Sequence, residues 1–161
     1  MNLSRFLTFG ISPFFGVLFA GRDLARGWGD NITWLQLQDA LQEAQIVQKP
    51  MMVIVHKESC PVCARVKPLF ASHPGINKLS QHFVMVNLEP DEVPRTPEFE
   101  PDGAYVPRIL FFSHDGRIFR NIIGKEPRNK YFYDDMRLLE NNMKRVLRQY
   151  REVQHPSDAA Q

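Results

Sequence analysis

Two cysteines, Cys60 and Cys63, are the residues best suited to chemistry, and Pro61 and Val62 separate them. The 161-residue chain has no other cysteine, so a framework of several structural disulfides is excluded. Thiols at this spacing can form a disulfide with each other, exchange it with disulfides in other molecules, or bind a metal ion. The sequence therefore points first to thiol chemistry at residues 60–63.

Two alternative roles for the pair find less support. In the loop-entropy treatment, a disulfide that closes a four-residue loop stabilises a fold by only roughly 2 kcal/mol. A zinc site usually needs four ligands, and the five histidines show no paired spacing that would complete one. We therefore predict a reversible Cys60–Cys63 disulfide that is redox-active, and no metal site.

The elements around the motif place Cys60 at the start of a helix. Residues 51–56 are a short apolar run typical of a strand buried on both faces, and a helix continues over residues 64–72. Pro61 suits the first helical position. Free N–H groups and the helix dipole stabilise a thiolate there, so we expect the pKa of Cys60 to fall below ~8.5. Cys60 is then the exposed attacking thiol, and Cys63 faces inward as the resolving thiol.

The rest of the chain predicts an α/β fold with a central mixed β-sheet and helices on both faces. An acidic, proline-rich loop over residues 89–103 reads as a solvated surface segment. The predicted elements are an edge strand near residues 32–34, a helix over 35–47, a strand over 83–88, a hairpin of 108–112 and 117–122 around an Asp-Gly turn, and a helix over 135–153.

The chain divides into three parts. Residues 1–21 read as a signal peptide, because the apolar stretch after Arg5 is shorter than the ~20 residues of a membrane span. Residues 27–153 form one domain, and residues 154–161 form a disordered C-terminal tail. We therefore expect the domain to enter an oxidising compartment and to have no membrane contact after signal cleavage.

Two further features concern partners and modification. The net charge is only +2 and basic residues are scattered, which argues against nucleic-acid binding. Asn31 begins an Asn-Ile-Thr triplet, a possible N-glycosylation site that predicts a surface position just before the domain's first elements.

Several motifs make the chain resemble the thioredoxin superfamily. Pro68 resembles the helix-kinking proline of that fold, and Val106-Pro107 resembles its cis-proline segment. The likeness is closer to the small endoplasmic reticulum thioredoxin proteins, the family of thioredoxin domain-containing protein 12 and the anterior gradient proteins. It extends over most of the chain, with motifs at residues 27–30, 52–57, 82–89 and 101–111.

The resemblance implies a thiol–disulfide oxidoreductase that forms, reduces or isomerises disulfides in secretory client proteins. It implies that Val106 and Pro107 bind the client backbone, and that Pro61 and Val62 face the client and tune the potential. No bound cofactor is implied, since redox exchange with glutathione or a partner oxidoreductase suffices. A monomer or weak homodimer is expected. The expected location is the endoplasmic reticulum lumen, with secretion as the alternative because the last residues lack a retrieval signal.

Three residues depart from the redox-active members of that family. Ser59 stands where they often have tryptophan, and Ile54 stands where thioredoxin has a buried acid that assists proton transfer. Glu58 is a candidate proton acceptor, although an exposed charge without a catalytic role is equally consistent with its position. From their sequence positions we expect Glu58 to raise the pKa of Cys60 and Lys57 and a protonated His56 to lower it, so these three charges do not by themselves fix the direction of the shift.

A second function remains open. Anterior gradient proteins resemble this chain but have one cysteine in the motif, so the same scaffold can act as a non-catalytic, client-binding or chaperone-like module. The presence of Cys63 favours the enzyme.

Overall fold

The computed structural model describes residues 23–154. The predicted signal peptide and residues 155–161 of the predicted tail lie outside this part of the chain. Gln154, which the prediction placed in the tail, is instead the last residue of the final helix. Within residues 23–154, no helix is both long enough and apolar enough to cross a membrane.

Four strands and four helices make up the described chain. Their bounds agree with most of the predicted elements to within one or two residues. In chain order they are β1 (Trp34–Leu35), α1 (Leu37–Val47), β2 (Met51–Val55), α2 (Pro61–Ala71), α3 (Pro74–Ser80), β3 (Val84–Leu88), β4 (Arg108–Phe112) and α4 (Met136–Gln154).

The strands form one mixed sheet in the order β1-β3-β2-β4. β1, β3 and β2 are parallel, and β4 runs antiparallel to β2. Met51, at the start of β2, lies opposite Val84 on one side and Phe112 on the other. Every residue of β2, β3 and β4 is buried, which explains why these strands read as continuous apolar runs.

The two faces of the sheet are covered by different helices. Met52 and Ile54 face a core that includes buried residues of α2, α3 and α4. Met51, Val53 and Val55 face a second core that includes Ala40 and Ala44 of α1 and residues of the loop after β3. This alternation follows from the two-residue period of a strand. The predicted fold, a mixed sheet with helices on both faces, is confirmed.

The predicted hairpin forms only in part. The turn at residues 113–116 is present, but pairing beyond it is limited to a single bridge between Phe112 and Ile118. The N–H of Ile122 then donates to the carbonyl of Phe119, so the chain turns away from β4. The predicted strand after the turn is therefore wrong.

The short helix α3 was not predicted. Its N-cap is His73, whose Nδ1 accepts a hydrogen bond from the N–H of Ile76 at 3.3 Å. Pro74 takes the first helical position, and Ile76 is fully buried in the core against the sheet. Capping and burial thus form a helix whose seven residues show little periodicity.

Candidate active site

Cys60 is the N-cap residue of α2. Its backbone is extended, with φ −85° and ψ 116°, and Pro61 takes the first helical position as predicted. Cys60 Sγ accepts a hydrogen bond from the N–H of Cys63 at 3.2 Å. The first N–H groups of a helix have no partner within the helix, so a thiolate at this position gains hydrogen bonds and a favourable dipole.

These surroundings lower the pKa of the Cys60 thiol. Burial alone raises it, but the hydrogen bonds from Cys63 and from the N–H of Val62, together with the positive charge of Lys67, outweigh that penalty. Cys60 is a free cysteine and is partly exposed to solvent. The predicted direction of the pKa shift is confirmed.

Cys63 has the opposite environment. It is fully buried, and burial together with the neighbouring Cys60 sulfur raises the pKa of its thiol. The backbone of Lys57 hydrogen-bonds to the Cys63 sulfur and partly offsets this effect. Both cysteines are free thiols in the structure, which therefore represents the reduced form of the predicted disulfide.

The Val106-Pro107 segment lies beside the motif. The peptide bond between these residues is cis, as predicted. Cys60 Sγ lies 3.9 Å from the carbonyl oxygen of Val106. Val106 is partly buried, whereas Pro107 is buried directly before β4. Two stretches of chain that are far apart in the sequence therefore meet at the Cys60 sulfur.

Arg108 anchors the loop that leads to Val106-Pro107, and it is not among the site residues predicted from the sequence. Its side chain is 2% exposed. Nε donates to the carbonyl of Phe99 at 2.9 Å, and one terminal nitrogen donates to the carbonyl of Tyr105 at 2.7 Å. Burial lowers the pKa of Arg108 while nearby Glu100 raises it. A buried guanidinium thus fastens the loop before the cis bond to the sheet.

A charged cleft of about 760 Å³ lies beside the pre-helix loop. We call it the charged cleft, and neither Cys60 nor Cys63 is among the residues that line it. Its lining comes from the first described turn, the end of β2, helix α2 and the residue after β3: Asp23, Arg26, His56, Lys57, Glu58, Ser59, Lys67 and Glu89. Seven of these eight side chains are ionisable, so the cleft suits water and polar groups rather than an apolar ligand.

The predicted residues are placed as follows. Pro61 is exposed and Val62 half-buried at the start of α2. Glu58 and Ser59 are exposed, and both line the charged cleft. The role of Glu58 as a proton acceptor stays a prediction. Asn31 is exposed just before β1, as expected, and does not line this cleft.

Lys67 is the charge that the sequence reading overlooked. It lies four residues after Cys63 on α2, and its charge lowers the pKa of Cys60 and of Cys63. The spacing of four residues in a helix was the available signal, since it places both side chains on one side. His56 differs from its predicted role: burial and the charges of Lys67 and Arg26 lower its pKa to about 4. A protonated His56 therefore does not act on Cys60 at neutral pH.

Comparisons with known proteins identify the family of the chain. A solved thioredoxin from Thermus thermophilus is 20% identical, with a TM-score of 0.45, over 81% of this chain and 94% of its own. Residues 33–113 match the model of a family described as thioredoxin-like. Anterior gradient protein 2 of Xenopus tropicalis is 37% identical over 77% of this chain and 76% of its own length. Anterior gradient protein 3 of Homo sapiens is 40% identical over 78% and 76%. The chain belongs to the thioredoxin-like family and is a relative of the anterior gradient proteins.

Proposed function

We propose that this protein is a thiol–disulfide oxidoreductase that acts on disulfides of client proteins through Cys60 and Cys63. The observation that supports this most is the asymmetry of the pair. Cys60 is accessible, caps a helix and has a lowered pKa, whereas Cys63 is buried with a raised pKa. The Cys60 thiol is therefore more readily ionised and accessible for attack, whereas the Cys63 thiol stays protonated and shielded from other molecules.

The reaction starts at Cys60. Its thiolate attacks one sulfur of a client disulfide, the client S–S bond breaks, and a mixed disulfide forms while the other client sulfur leaves as a thiolate. Cys63 then loses its proton and attacks the Cys60 sulfur. The Cys60–Cys63 bond forms, and the second client sulfur leaves. The protein is oxidised by two electrons, and the client is reduced by two.

The same steps run in reverse when the oxidised protein donates its disulfide. The reduction potential of the Cys60–Cys63 pair relative to that of glutathione sets the direction of electron flow, so measuring this potential decides between donation and reduction. Reoxidation by glutathione disulfide or a partner oxidoreductase completes the cycle without a bound cofactor. The chain acts as a monomer or weak homodimer in this proposal.

In this proposal a client contacts the accessible Val106, Pro61 and Val62, and the buried Pro107 contributes the adjoining backbone. The carbonyl of Val106 points to within 3.9 Å of the attacking sulfur. A client peptide that pairs with this backbone places its own sulfur near Cys60, which lowers the entropic cost of reaching the transition state.

The proposed location is the lumen of the endoplasmic reticulum or, after secretion, the extracellular space. The apolar start of the sequence and the relationship to the anterior gradient proteins support this. A protein in this location is expected to carry an N-linked glycan on the exposed Asn31. The mass of the secreted wild-type protein then exceeds that of the bare chain, and an Asn31→Gln variant lacks this added mass.

Trapping of clients tests the proposal. In cells with an oxidising secretory pathway, a Cys63→Ala variant accumulates mixed disulfides through Cys60, because nothing resolves them. A Cys60→Ser, Cys63→Ala variant is the matched control and traps none. If the Cys63→Ala variant traps no clients, the proposed oxidoreductase activity is contradicted. If the Cys60→Ser, Cys63→Ser variant retains full cellular function, the client-binding module is the correct description.

A further inference from the structure

The loop that carries Val106, residues 100–107, is held by side chains rather than by its own backbone. Within the described part of the chain, no backbone–backbone hydrogen bond begins or ends on these residues. Regular pairing starts only at Arg108, the first residue of β4, which lies opposite Val55. Yet the carbonyl of Val106 lies 3.9 Å from the Cys60 sulfur. The hydrogen bonds that place this backbone must therefore come from side chains.

Tyr105, the residue before Val106, is held at its carbonyl and at its hydroxyl. The carbonyl accepts from the Arg108 guanidinium at 2.7 Å. The hydroxyl accepts from the N–H of Tyr131 at 2.9 Å. The same hydroxyl donates to the carboxylate of Asp102, whose two oxygens lie at 2.9 and 3.0 Å. Its single proton and one of its lone pairs are thus both in use.

Asp102 ties this hydroxyl to the chain that follows it in space. Its Oδ2 accepts from the N–H of Lys130 at 2.7 Å, so successive backbone N–H groups bind first the carboxylate and then the hydroxyl. Gly103, with φ +133°, turns the chain between Asp102 and Tyr105, in a conformation that other residues rarely adopt. We call the two side chains the Tyr105–Asp102 pair.

Tyr131 links this pair to the sheet. Its N–H donates to the Tyr105 hydroxyl, and its carbonyl accepts from the N–H of Ile109 in β4 at 2.8 Å. The backbone of one residue therefore binds the chain both before and after Val106-Pro107. Tyr131 is 4% exposed, so these hydrogen bonds are shielded from water and are correspondingly strong.

We propose that Tyr105 is a positioning residue for client docking: with Asp102, its hydroxyl holds the Val106 backbone where a bound client presents its disulfide to Cys60. The inference deepens the function proposed above and rests on it. The Tyr105–Asp102 pair acts through Val106, the next residue along the chain. Without it, residues 100–107 occupy a wider range of positions, and fewer client encounters align the client sulfur with Cys60.

The hydroxyl keeps its proton throughout the neutral range. Burial and the Asp102 carboxylate raise the pKa of the Tyr105 phenol, and the N–H of Tyr131 opposes them only in part. Cys60 takes its own hydrogen bond from the N–H of Cys63, in the first turn of α2. Loss of the Tyr105–Asp102 pair is therefore expected to impair client docking and to spare the intrinsic reactivity of Cys60.

Two disulfide probes with one leaving group test the proposal. In the first, a short serine–alanine peptide with one central cysteine is joined by a disulfide to 2-nitro-5-thiobenzoate. In the second, 2-mercaptoethanol, which has no backbone to pair with Val106, replaces the peptide. The Cys60 thiolate attacks the probe, the probe S–S bond breaks, and the coloured thiolate leaves, so absorbance reports the rate with reduced protein in excess.

The two probes respond differently to loss of the hydroxyl. Tyr105→Phe lowers the rate with the peptide probe by about tenfold. It changes the rate with the mercaptoethanol probe by less than about twofold, because that probe needs only the Cys60 thiolate. Tyr131→Phe is the matched control and retains both rates. It removes the hydroxyl that donates to the carbonyl of Arg120 and keeps the N–H that binds Tyr105.

Variants of Asp102 test the same connection from its other end. Asp102→Ala reproduces the selective loss with the peptide probe, whereas Asp102→Asn keeps an accepting oxygen and retains most of the rate. The Tyr105→Phe, Asp102→Ala variant reacts about as slowly as either single variant, because both changes remove one connection. Asp102 is only partly buried, so its variants carry the test if Tyr105→Phe does not fold.

The outcomes separate this inference from the function on which it rests. Equal rates with the peptide probe for wild type and Tyr105→Phe overturn the positioning role and leave the function standing. Equal losses with both probes do the same, because they indicate a general loss of structure. A wild-type protein that reacts with the peptide probe no faster than with the mercaptoethanol probe also overturns the positioning role. A wild-type protein that reacts with neither probe overturns the oxidoreductase function itself.

Discussion

Burial of neutral His56 makes the stability of this protein depend on pH in a defined window. The ring is 0% exposed and its pKa is lowered to about 4, against 6.5 for the free side chain. In the unfolded chain the same ring takes up a proton below pH 6.5. Protons therefore bind the unfolded state preferentially, and the folded state loses stability as the pH falls.

The magnitude follows from the two pKa values. Each pKa unit corresponds to about 1.4 kcal/mol. The contribution of neutral His56 is fully present above pH 6.5, is reduced by about 2 kcal/mol at pH 5, and is reduced by about 3 kcal/mol once the pH reaches 4. A domain of this size is stable by roughly 5–15 kcal/mol, so the change is large enough to measure.

Denaturant unfolding of wild type and a His56→Phe variant between pH 4.5 and 7.5 measures this effect. Phenylalanine keeps the ring contact with Trp28 and removes the two ring nitrogens, which have no hydrogen-bond partner within residues 23–154, so we expect equal or greater stability at pH 7.5. The free energy of unfolding of the variant then falls less steeply with acid. Other titrating groups are common to both proteins and cancel in the difference. His82→Phe, at an exposed position, is the control. If the free energy of unfolding depends on pH in the same way for wild type and His56→Phe, the prediction that His56 is buried in its neutral form is wrong.

Two other predictions concern groups that hold the site. Replacing Lys67 with Met raises the pKa of Cys60, because the charge that favours the thiolate is lost. The pH dependence of alkylation measures this, Lys78→Met at an exposed position of α3 is the control, and an unchanged profile for Lys67→Met is the contrary result. Replacing Arg108 with Met leaves the buried carbonyls of Phe99 and Tyr105 without their donor and costs about 2–4 kcal/mol of unfolding free energy. Denaturant unfolding tests this, and a decrease in the free energy of unfolding of less than about 0.5 kcal/mol argues against a stabilising role for Arg108.

The parts of the fold that the sequence predicted are encoded in contiguous residues. β2 is a run of apolar residues buried on both faces, and Cys60-Pro61 follows it with an N-cap and a first helical residue. No distant contact is needed for these features, so the position of Cys60 and the direction of its pKa shift followed from local sequence. The mixed sheet followed from the order of the elements.

The parts that the sequence did not predict depend on contacts between distant segments. The second strand of the hairpin fails because other partners take the outer edge of β4, among them the carbonyl of Tyr131, which accepts from the N–H of Ile109 at 2.8 Å. In the sequence Arg108 looks like an ordinary cation at the end of a strand. Only the fold brings the carbonyls of Phe99 and Tyr105 within hydrogen-bonding distance of its side chain. None of these pairings leaves a periodic signal in the sequence.

The two half-reactions of the motif therefore have different structural origins. Attack by Cys60 depends on the first turn of α2, which four contiguous residues supply. In the proposed cycle, resolution by Cys63 requires removing a proton from a buried thiol, whose pKa is raised by burial and by the neighbouring Cys60 sulfur. Variants that remove the first-turn hydrogen bonds to Cys60 should then alter attack, whereas variants that change the burial of Cys63 should alter release of the client. In the proposed cycle, a Cys63→Ala variant keeps the helix start that favours attack and loses the thiol that resolves it, so the variant should capture clients and hold them.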